Sequence, residues 1–558
     1  MVNHGRSGGC VTCKTRRVKC DEARPECQSC QRLSLRCGGY KTKPVRIRFK
    51  DQNPKFFCTK SAPRKALQDR CSVPDKLRSL AQPDPAVPFF LQHYAIMGRD
   101  MESTRGFFEI LVPVYGAQRQ DSALSLAVSA VASEILSLWR HGSSSRASQE
   151  TYTQALKGLR RTMQDPGEWG KPETMLAVLA LQFYENLAVI YGRHSSTRAH
   201  HDGAVSLLPF ASSDDKHGAI SAYIQRYIIH SEISSAIRQK RLLRSTAHSC
   251  LGSKGPLAAP ASLISTLDTI SASVAELQAS YSLTARNGFV SSSEIIPRDW
   301  RAEAKCIDEQ LLAWAQNVPE HWQPLRLSSG RDIDPSIPTY ESVCEVYLSC
   351  QIGTLWNEWR VQRLLLVKII LSSLSANPMS EASECLENAD LANYKHNLQD
   401  LVDSVCYSVP FYLGNQAGYL SIADFTDPAI LLPSYHLLAS VCKSGCNQRR
   451  PNPQVSEEEH RSHIIAQGPW HIMNPLSRLL TFFWEDHGQA MAMASLLRPG
   501  QHEWIREQFL RVTILLRIPL ADGADVEGTL YPFDSSAQGN VDSRVEHLAK
   551  RIRKGAFL

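Results

Sequence analysis

The sequence lacks a long uninterrupted apolar run. Its longest apolar stretches, SALSLAVSAVASEILSLW and LLLVKIILSSL, are broken by Glu134 and Lys368 and are too short to cross a bilayer. The first residues, MVNHGRSGGC, have no apolar segment of the kind that a secretory signal requires. We therefore expect no membrane association and an intracellular protein, in which cysteines are free thiols or metal ligands rather than disulfides.

Familiar catalytic motifs are missing as well. The sequence contains no Walker phosphate loop, no dinucleotide-binding glycine motif, no G-x-S-x-G elbow and no H-E-x-x-H motif. His200, His201 and Asp202 are metal-binding residue types, but the start of an ordinary helix explains them more simply. We predict that the protein is not an enzyme.

Six of the 16 cysteines, in contrast, are concentrated near the N-terminus in a repeated pattern. The spacing C-x2-C-x6-C occurs twice, the second time 17 positions after the first, at Cys10, Cys13, Cys20, Cys27, Cys30 and Cys37. Thr12 and Ser29 repeat with the same offset. The segment is predicted to be a duplicated half-module, and each half is expected to hold a short helix closed by its third cysteine.

The number of thiols restricts the metal chemistry. One tetrahedral zinc needs four ligands and two separate zincs need eight, whereas six thiolates with no intervening histidine complete two tetrahedra if two of them bridge both metals. The spacing therefore predicts a cluster of two zinc ions per chain. Three alternatives stay open: a disulfide framework, a single zinc that leaves two thiols unexplained, and a zinc-handling or thiol-redox protein that uses the cysteine cluster itself.

Positive charge is concentrated in the same region. Residues 1–50 hold thirteen Lys or Arg against three acidic residues, a net charge of +10, while the whole chain carries +7. Two Zn²⁺ with six thiolates sum to a charge of about −2, so the surrounding cations must reverse that sign before the cluster can approach a polyanion. A strongly basic N-terminal segment on an otherwise nearly neutral chain predicts that this segment binds nucleic acid.

At this point the sequence resembles the fungal Zn(2)-Cys(6) binuclear cluster family of transcription regulators. The resemblance rests on residues 10–37, including CKTRRVKCD and Pro25, two residues before the fourth cysteine. It implies that Cys10 and Cys27 bridge the metals, that Cys13 and Cys20 complete one zinc site, and that Cys30 and Cys37 complete the other. It also implies recognition of CGG-like triplets in double-stranded DNA.

The two halves differ where DNA contacts are expected. Arg16 and Arg17 correspond to Leu33 and Ser34, so the first helix is predicted to enter the major groove and to bring two guanidiniums to guanine. Phosphate contacts, which position the protein without specifying sequence, are predicted for Lys14, Lys19, Arg32 and Arg36. The basic segment after the cysteines extends the DNA-binding set to Lys41 and Lys43.

Residues 41–88 are predicted to be a linker, basic at first and then rich in proline. Many relatives carry a dimerising coiled coil after the cluster, but Pro74 separates Leu67 from Leu77 and prevents a sustained heptad pattern. We therefore expect a fragment of residues 1–88 to be monomeric, and any dimer to form through the helical domain.

Residues 89–520 are predicted to form a large all-α domain. One helix is expected between Ser122 and Gly142, and others near 147–164, 173–189, 220–228, 263–283, 302–316, 341–373, 395–407, 429–442, 470–485 and 502–517. Segments such as VYLSCQIGTLWNEWRVQRLLLVKIIL resemble the second type of fungal transcription factor regulatory domain. The predicted fold is thus a small Zn2Cys6 module with two short helices (1–40), the linker, the all-α regulatory domain, and a C-terminal tail (521–558).

Together these features predict a nuclear, zinc-dependent, sequence-specific regulator of RNA polymerase II transcription. Its expected partners are double-stranded DNA and the transcription machinery or co-regulators.

Overall fold

The computed structural model forms two compact units, Met1–Val73 and Pro74–Leu558. It describes residues 10–21, 23, 26–39, 85–95, 106–193, 197–211, 218–252, 262–287, 298–376, 384–435, 456–483, 493–520 and 535–554. We call residues 10–39 the zinc module and the described residues from 85 onward the helical body.

The zinc module is built around its cysteines. Its helices are α1 (Val11–Thr15) and α2 (Gln28–Gln31). The buried residues at its centre are four cysteines, Cys10, Cys13, Cys27 and Cys30, with Cys20 and Cys37 packed against them. Because the described part of this unit has no cluster of buried aliphatic or aromatic side chains, burial of carbon surface contributes little to its stability.

The helical body contains fifteen α-helices in its described residues. They are α3 (Ala86–Phe90), α4 (Phe108–Gly116), α5 (Ala123–His141), α6 (Arg146–Thr162), α7 (Pro172–Ile190), α8 (Ala199–Leu207), α9 (Gly218–Gln239), α10 (Ser245–Gly252), α11 (Leu263–Asn287), α12 (Trp300–Asn317), α13 (Cys350–Ala376), α14 (Glu384–Leu413), α15 (Glu457–Phe482), α16 (Gln501–Leu515) and α17 (Ser535–Lys554). A π-helical turn, Leu91–Ala95, continues α3. The prediction of a small cysteine module followed by a largely helical domain is confirmed.

Helix α5 shows how local sequence sets the ends of a core helix. Ser122 lies before the first turn and its side chain accepts a hydrogen bond from the Ser125 amide, while Gly142 ends the helix with φ 68°. Both ends are as predicted. The expectation that the stretch with Glu134 is too short to cross a membrane was wrong, because α5, like α7, is long and apolar enough to do so. In the structure, 78% and 83% of the residues in these two stretches are buried within the body, where they form its core.

Two strands correct the prediction of a continuous helix over 341–373. Strand β1 (Leu325–Ser328) pairs antiparallel with β2 (Val343–Val346), and α13 starts only at Cys350. The hairpin carries a buried ion pair, because Glu345 on β2 accepts a hydrogen bond of 2.5 Å from Arg360 on α13. Strands of four residues are too short to show a period of two against the helical pattern that follows them.

A second correction concerns the helix predicted over 429–442. Residues 429–435 are extended or turn, and residues 436–442 lie outside the described part of the chain. Leu431 accepts a hydrogen bond from the Asn415 amide through its carbonyl, and the Leu431 amide donates to the Asn415 side chain. These bonds tie the segment to the end of α14 as a loop. Each of the other predicted helical stretches overlaps an observed helix.

The last described helix, α17, packs onto the helical body. Its buried apolar residues are Val545, Leu548, Ala549 and Ile552. Arg551 donates to the Ile190 carbonyl at 2.9 Å and to the Pro519 carbonyl at 3.1 Å. The basic C-terminal segment is therefore, in part, structural.

Candidate zinc cluster and DNA-binding surface

Both helices of the zinc module begin on a cysteine. The Cys10 sulfur accepts a hydrogen bond from the Cys13 amide at 3.3 Å, and the Cys27 sulfur accepts one from the Cys30 amide at the same distance. Sulfur thus takes the role that a Ser or Asp oxygen usually has at a helix N-terminus. The helix starts direct the sulfurs of both cysteines in each C-x2-C pair toward the centre of the module.

The two halves also end their helices in the same way. Arg17 and Ser34, which are 17 positions apart, both have φ 53°, in the left-handed region. The amides that follow, Val18 and Leu35, bond back to the carbonyls of Cys13 and Cys30 at 3.1 and 3.0 Å. Each helix therefore ends well before the third cysteine of its half. The expectation that the third cysteine closes the helix was wrong, because a left-handed residue ends it earlier.

Two side chains join the halves reciprocally. Asp21 accepts hydrogen bonds from the Gln28 and Ser29 amides at the start of α2, at 3.0 and 3.1 Å, and from the Ser29 hydroxyl at 3.0 Å. Thr12 on α1 accepts a bond of 2.8 Å from the Gly38 amide. The offset of 17 relates Thr12 to Ser29 and Asp21 to Gly38, so these contacts are equivalent. A role for Asp21 was not predictable from local sequence, because it lies seven residues before Gln28 and only the fold brings its carboxylate to the N-terminus of α2.

The six sulfur atoms come together as two groups of four that share two members. One group contains Cys10, Cys13, Cys20 and Cys27, and the other contains Cys10, Cys27, Cys30 and Cys37, with ligand atoms within 4.8 Å of one another. The sulfur–sulfur distances are 3.6 Å for Cys10–Cys27, 3.8 Å for Cys10–Cys30 and 3.7 Å for Cys13–Cys27. Zinc–thiolate bonds of about 2.3 Å place tetrahedral sulfurs about 3.8 Å apart. The residues present therefore fit a binuclear zinc cluster.

The crowding of the sulfurs opposes their ionisation without metal. Burial, followed by hydrogen bonding with neighbouring thiols, raises the pKa of Cys13 to about 12, and burial also raises the pKa of Cys27. Hydrogen bonds from the Cys27 and Gly39 backbone lower the pKa of Cys37. Because zinc is bound by thiolates, loading this cluster releases protons and compensates the charge of the crowded sulfurs.

Every described cation that was predicted to contact DNA is exposed. The six residues are Lys14, Arg16, Arg17, Lys19, Arg32 and Arg36. Arg16 and Arg17 lie at the C-terminal end of α1, just outside the helix. Their counterparts Leu33 and Ser34 are also exposed, so the two halves present different chemistry at equivalent places. Lys41 and Lys43 lie outside the described residues.

Comparison with known proteins supports two domains. The model of the fungal Zn(2)-Cys(6) binuclear cluster domain matches residues 8–46, and that of the fungal specific transcription factor domain matches residues 99–386, more than half of the chain. The chain belongs to the fungal Zn(2)-Cys(6) transcription factors. The binuclear cluster domain implies two zinc ions, and the family is one of transcription regulators rather than enzymes.

The relatives of this transcription factor match it over short stretches. The Pestheic acid cluster transcriptional regulator 3 of Pestalotiopsis fici is 60% identical over 45 residues, 8% of each chain. The Aspercryptin biosynthesis cluster-specific transcription regulator atnN of Emericella nidulans is 60% identical over 37 residues, 6% of each chain. The transcription factor dbaG of Emericella nidulans is 22% identical over 138 residues, 24% of this chain and 31% of the relative. No solved structure matches the chain.

The helical body of this transcription factor holds a second group of metal-binding residue types. Ligand atoms of Cys350, His463 and His471 lie within 4.8 Å of one another. Hydrogen bonds already engage both rings, since His471 contacts the Thr354 hydroxyl at 2.8 Å and His463 contacts the Gln467 side chain at 3.3 Å. Burial lowers the pKa of His463 to about 4 and that of His471 to about 3, so both rings are neutral at pH 7.

Proposed function

We propose that this protein is a nuclear, sequence-specific, zinc-dependent DNA-binding regulator of RNA polymerase II transcription. The proposal rests on the two groups of four cysteine sulfurs, which share Cys10 and Cys27 and lie beside a surface of exposed cations. The shared residues are the bridging ligands, Cys13 and Cys20 complete one zinc site, and Cys30 and Cys37 complete the other. A zinc-handling or thiol-redox role would not account for the exposed arginines.

The residues around the cluster divide into two kinds of DNA contact. Arg16 and Arg17 in the first half correspond to the uncharged Leu33 and Ser34 in the second half. This difference favours the two arginines for bidentate contacts to guanine O6 and N7. Lys14, Lys19, Arg32 and Arg36 contact phosphates, and the basic segment with Lys41 and Lys43 follows the DNA backbone. The expected site is a CGG-like triplet. The transcription machinery or co-regulators are the expected partners of the helical body.

The chain divides by function into a DNA-binding domain (1–40), a linker (41–88), a regulatory domain (89–520) and a C-terminal segment (521–558). Recognition of bases requires only the cluster and its flanking cations. The proposed division of functions therefore needs no rigid connection between the zinc module and the helical body. The helix α17 adds a structural role for the last segment, since its apolar face is buried against the body.

Selection of bound sequences from random DNA duplexes tests the proposed function. Zinc-loaded full-length protein should enrich duplexes that contain a CGG-like triplet, and the variant Cys10→Ser should enrich none. The same selection on the variant Cys306→Ser, which removes an exposed cysteine of the body, is the matched control and should give the wild-type result. Enrichment of no sequence by wild-type protein that carries two zinc ions would contradict the proposal.

The oligomeric state of the DNA-binding segment is a separate part of the proposal. Residues 64–81, which contain Pro74, lie outside the described residues. In the sequence, neither side of Pro74 is long enough for a stable coiled coil. A fragment of residues 1–88 should sediment as a monomer at micromolar concentration and bind a single triplet weakly. A dimer that binds paired triplets cooperatively would show that the linker does form a coiled coil.

A further inference from the structure

A cavity in the helical body lies between four helices that are distant in sequence. Its lining includes residues of α9, α11, α13 and α15, and the space within that lining, about 910 Å³, includes open solvent. Ile237, Val361 and Pro475 give the cavity an apolar side.

Two arginines, Arg238 on α9 and Arg478 on α15, also line the cavity. Arg478 is 5% exposed, and within the described residues no hydrogen bond or ion pair to its guanidinium is found. Arg238 donates to the Ser234 hydroxyl at 3.0 Å, but its Nη2 atom is buried and has no partner. Neither arginine has a carboxylate at ion-pair distance in the part of the chain that the structure describes.

Three other arginines of the body show how the fold pairs guanidiniums elsewhere. Arg363 on α13 binds both carboxylate oxygens of Asp308, at 2.6 and 3.0 Å. Arg360 is paired with Glu345. Arg511 has no carboxylate among the described residues, but its guanidinium donates to the backbone carbonyls of Gln416 and Gly414 at 2.7 and 2.6 Å. The described residues supply no such set of acceptors to Arg238 and Arg478.

Two carboxylates near the cavity both contact His230. Glu358, also in the lining, lies 3.5 Å from the Nε2 atom of His230, whose Nδ1 atom lies 2.9 Å from Asp268. His230 therefore stands between the two carboxylates. Burial, followed by the neighbouring Arg478, lowers the pKa of Arg238 to about 9, and burial lowers the pKa of Arg478 to about 10. Both values leave the guanidiniums charged at pH 7, and an anion between them would relieve the cost of burying them.

An uncharged donor extends the polar side of the cavity. Asn474 lies on the same helix as Arg478 and offers an amide. Oxyanions take several N–H donors at once, and the bidentate geometry of guanidinium suits carboxylate and phosphate alike.

We infer that this cavity is a binding site for a small organic anion, with a carboxylate or phosphate group held by Arg238 and Arg478 and an apolar part against Ile237, Val361 and Pro475. The site lies in the helical body, away from the zinc module in the sequence, and the inference does not depend on the proposed DNA-binding function. A buried, unpaired guanidinium destabilises the empty protein and is useful only when an anion binds.

Thermal unfolding of full-length, zinc-loaded protein tests the inference, with helix loss in the body followed by circular dichroism. Wild type is measured with inorganic phosphate, benzoate and citrate against chloride at equal ionic strength. At least one of the three anions should raise the midpoint in a saturable way. A response to phosphate alone assigns a phosphate group, and a response to benzoate or citrate alone assigns a carboxylate.

Two matched variants separate binding from structure. Arg478→Met should raise the midpoint of the anion-free protein by a few degrees, since it removes an unpaired buried charge, and should abolish the anion response. Arg363→Met, which leaves Asp308 buried without its partner, should lower the midpoint and keep the response. Arg238→Met serves in place of Arg478→Met if that variant does not fold.

The inference is wrong if the arginine variant that folds still responds as wild type does. It is also wrong if Arg478→Met lowers the midpoint as much as Arg363→Met, or if none of the three anions raises the wild-type midpoint above that in chloride.

Discussion

The two halves of the zinc module have nearly the same backbone and different surfaces. Both begin a helix on a cysteine and end it on a residue with φ 53°, Arg17 in one half and Ser34 in the other. The first half exposes two guanidiniums, whereas the second half exposes Leu33 and Ser34 at the same places. Duplication therefore explains the geometry of the cluster, and divergence after duplication explains why one half is better suited to reading bases. We therefore expect the two halves to contribute equally to zinc binding and unequally to DNA binding.

Substitution of the shared cysteines should have the largest effect. Cys10→Ser and Cys27→Ser each remove a ligand that both zinc sites need, so both variants should lose both metals and all specific DNA affinity. Structural zinc contributes roughly 10 to 16 kcal/mol of apparent binding free energy, which this small module has no other means to replace. Metal analysis of the purified full-length protein measures the loss, with Cys306→Ser as the control that keeps two zincs.

Cysteines that belong to only one zinc site test more sharply whether the two halves contribute equally to zinc binding. Cys13→Ser and Cys30→Ser are related by the offset of 17 and should lower the zinc content equally. Because Cys350, His463 and His471 also bring ligand atoms together, the comparison is made in protein that carries Cys350→Ala. A stable one-zinc module from one of these variants but not the other would show that the halves are unequal toward metal.

Much of this asymmetry could be predicted from the sequence, because it depends on residues close together in the chain. The C-x2-C-x6-C repeat and the Arg-to-Leu and Arg-to-Ser differences were visible in residues 10–37, and the α5 ends at Ser122 and Gly142 followed from local capping chemistry. The left-handed conformation at Arg17 was not predictable, because arginine has no preference for φ > 0. It is imposed by the turn toward Cys20.

Features that depend on tertiary contacts were missed. The hairpin of β1 and β2 pairs Leu325 with Val346, and no local pattern links segments that far apart. The half-buried Arg238 and the buried Arg478 look in sequence like solvent-facing members of amphipathic helices. Only the packing of α9, α11, α13 and α15 around one cavity shows that both line it.

The arginines of the first half should give the next largest effect. Arg17→Gly removes a guanidinium at a left-handed position that glycine adopts without strain, and Ser34→Gly makes the equivalent change in the second half. Loss of a bidentate guanine contact costs about 1 to 3 kcal/mol, so Arg17→Gly should weaken specific binding by roughly 5- to 150-fold and flatten base preference. Ser34→Gly should change affinity by less than about threefold.

Binding titrations on the selected site and on random duplex distinguish base reading from charge alone. Arg17→Gly should lose more affinity for the selected site than for random DNA. Equal losses on both would mean that Arg17 contacts only phosphate. The double variant Leu33→Arg, Ser34→Arg makes the second half resemble the first, and it should steepen the salt dependence of binding by about two phosphate contacts at most.

The smallest expected effect concerns the contacts that join the halves. Asp21 accepts three hydrogen bonds at the start of α2, whereas the Thr12 hydroxyl makes two, accepting from the Gly38 amide and donating to the Arg36 carbonyl at 3.2 Å, so Asp21→Ala should loosen the module more than Thr12→Ala. Hydrogen bonds from the Ser29 and Gln28 amides are among the causes that lower the pKa of Asp21 to about 2. A carboxylate with a lowered pKa stabilises the folded state above its ordinary pKa near 4, and the contribution is lost only as the pH falls toward 2. Asp21 is therefore ionised at every pH at which the thiolates hold zinc.

The rate of zinc transfer to a competing chelator at pH 7 measures how far each substitution loosens the zinc module. Asp21→Ala should release metal a few times faster than wild type, with little change in base preference, because the bonds that it removes lie at the start of α2, whereas Arg16 and Arg17 follow α1. Asp21→Asn keeps one acceptor oxygen and should fall between wild type and Asp21→Ala. If Thr12→Ala released zinc faster than Asp21→Ala, the two bonds of the Thr12 hydroxyl would hold the halves together more strongly than the three bonds of Asp21, and the number of hydrogen bonds would be a poor guide to their strength.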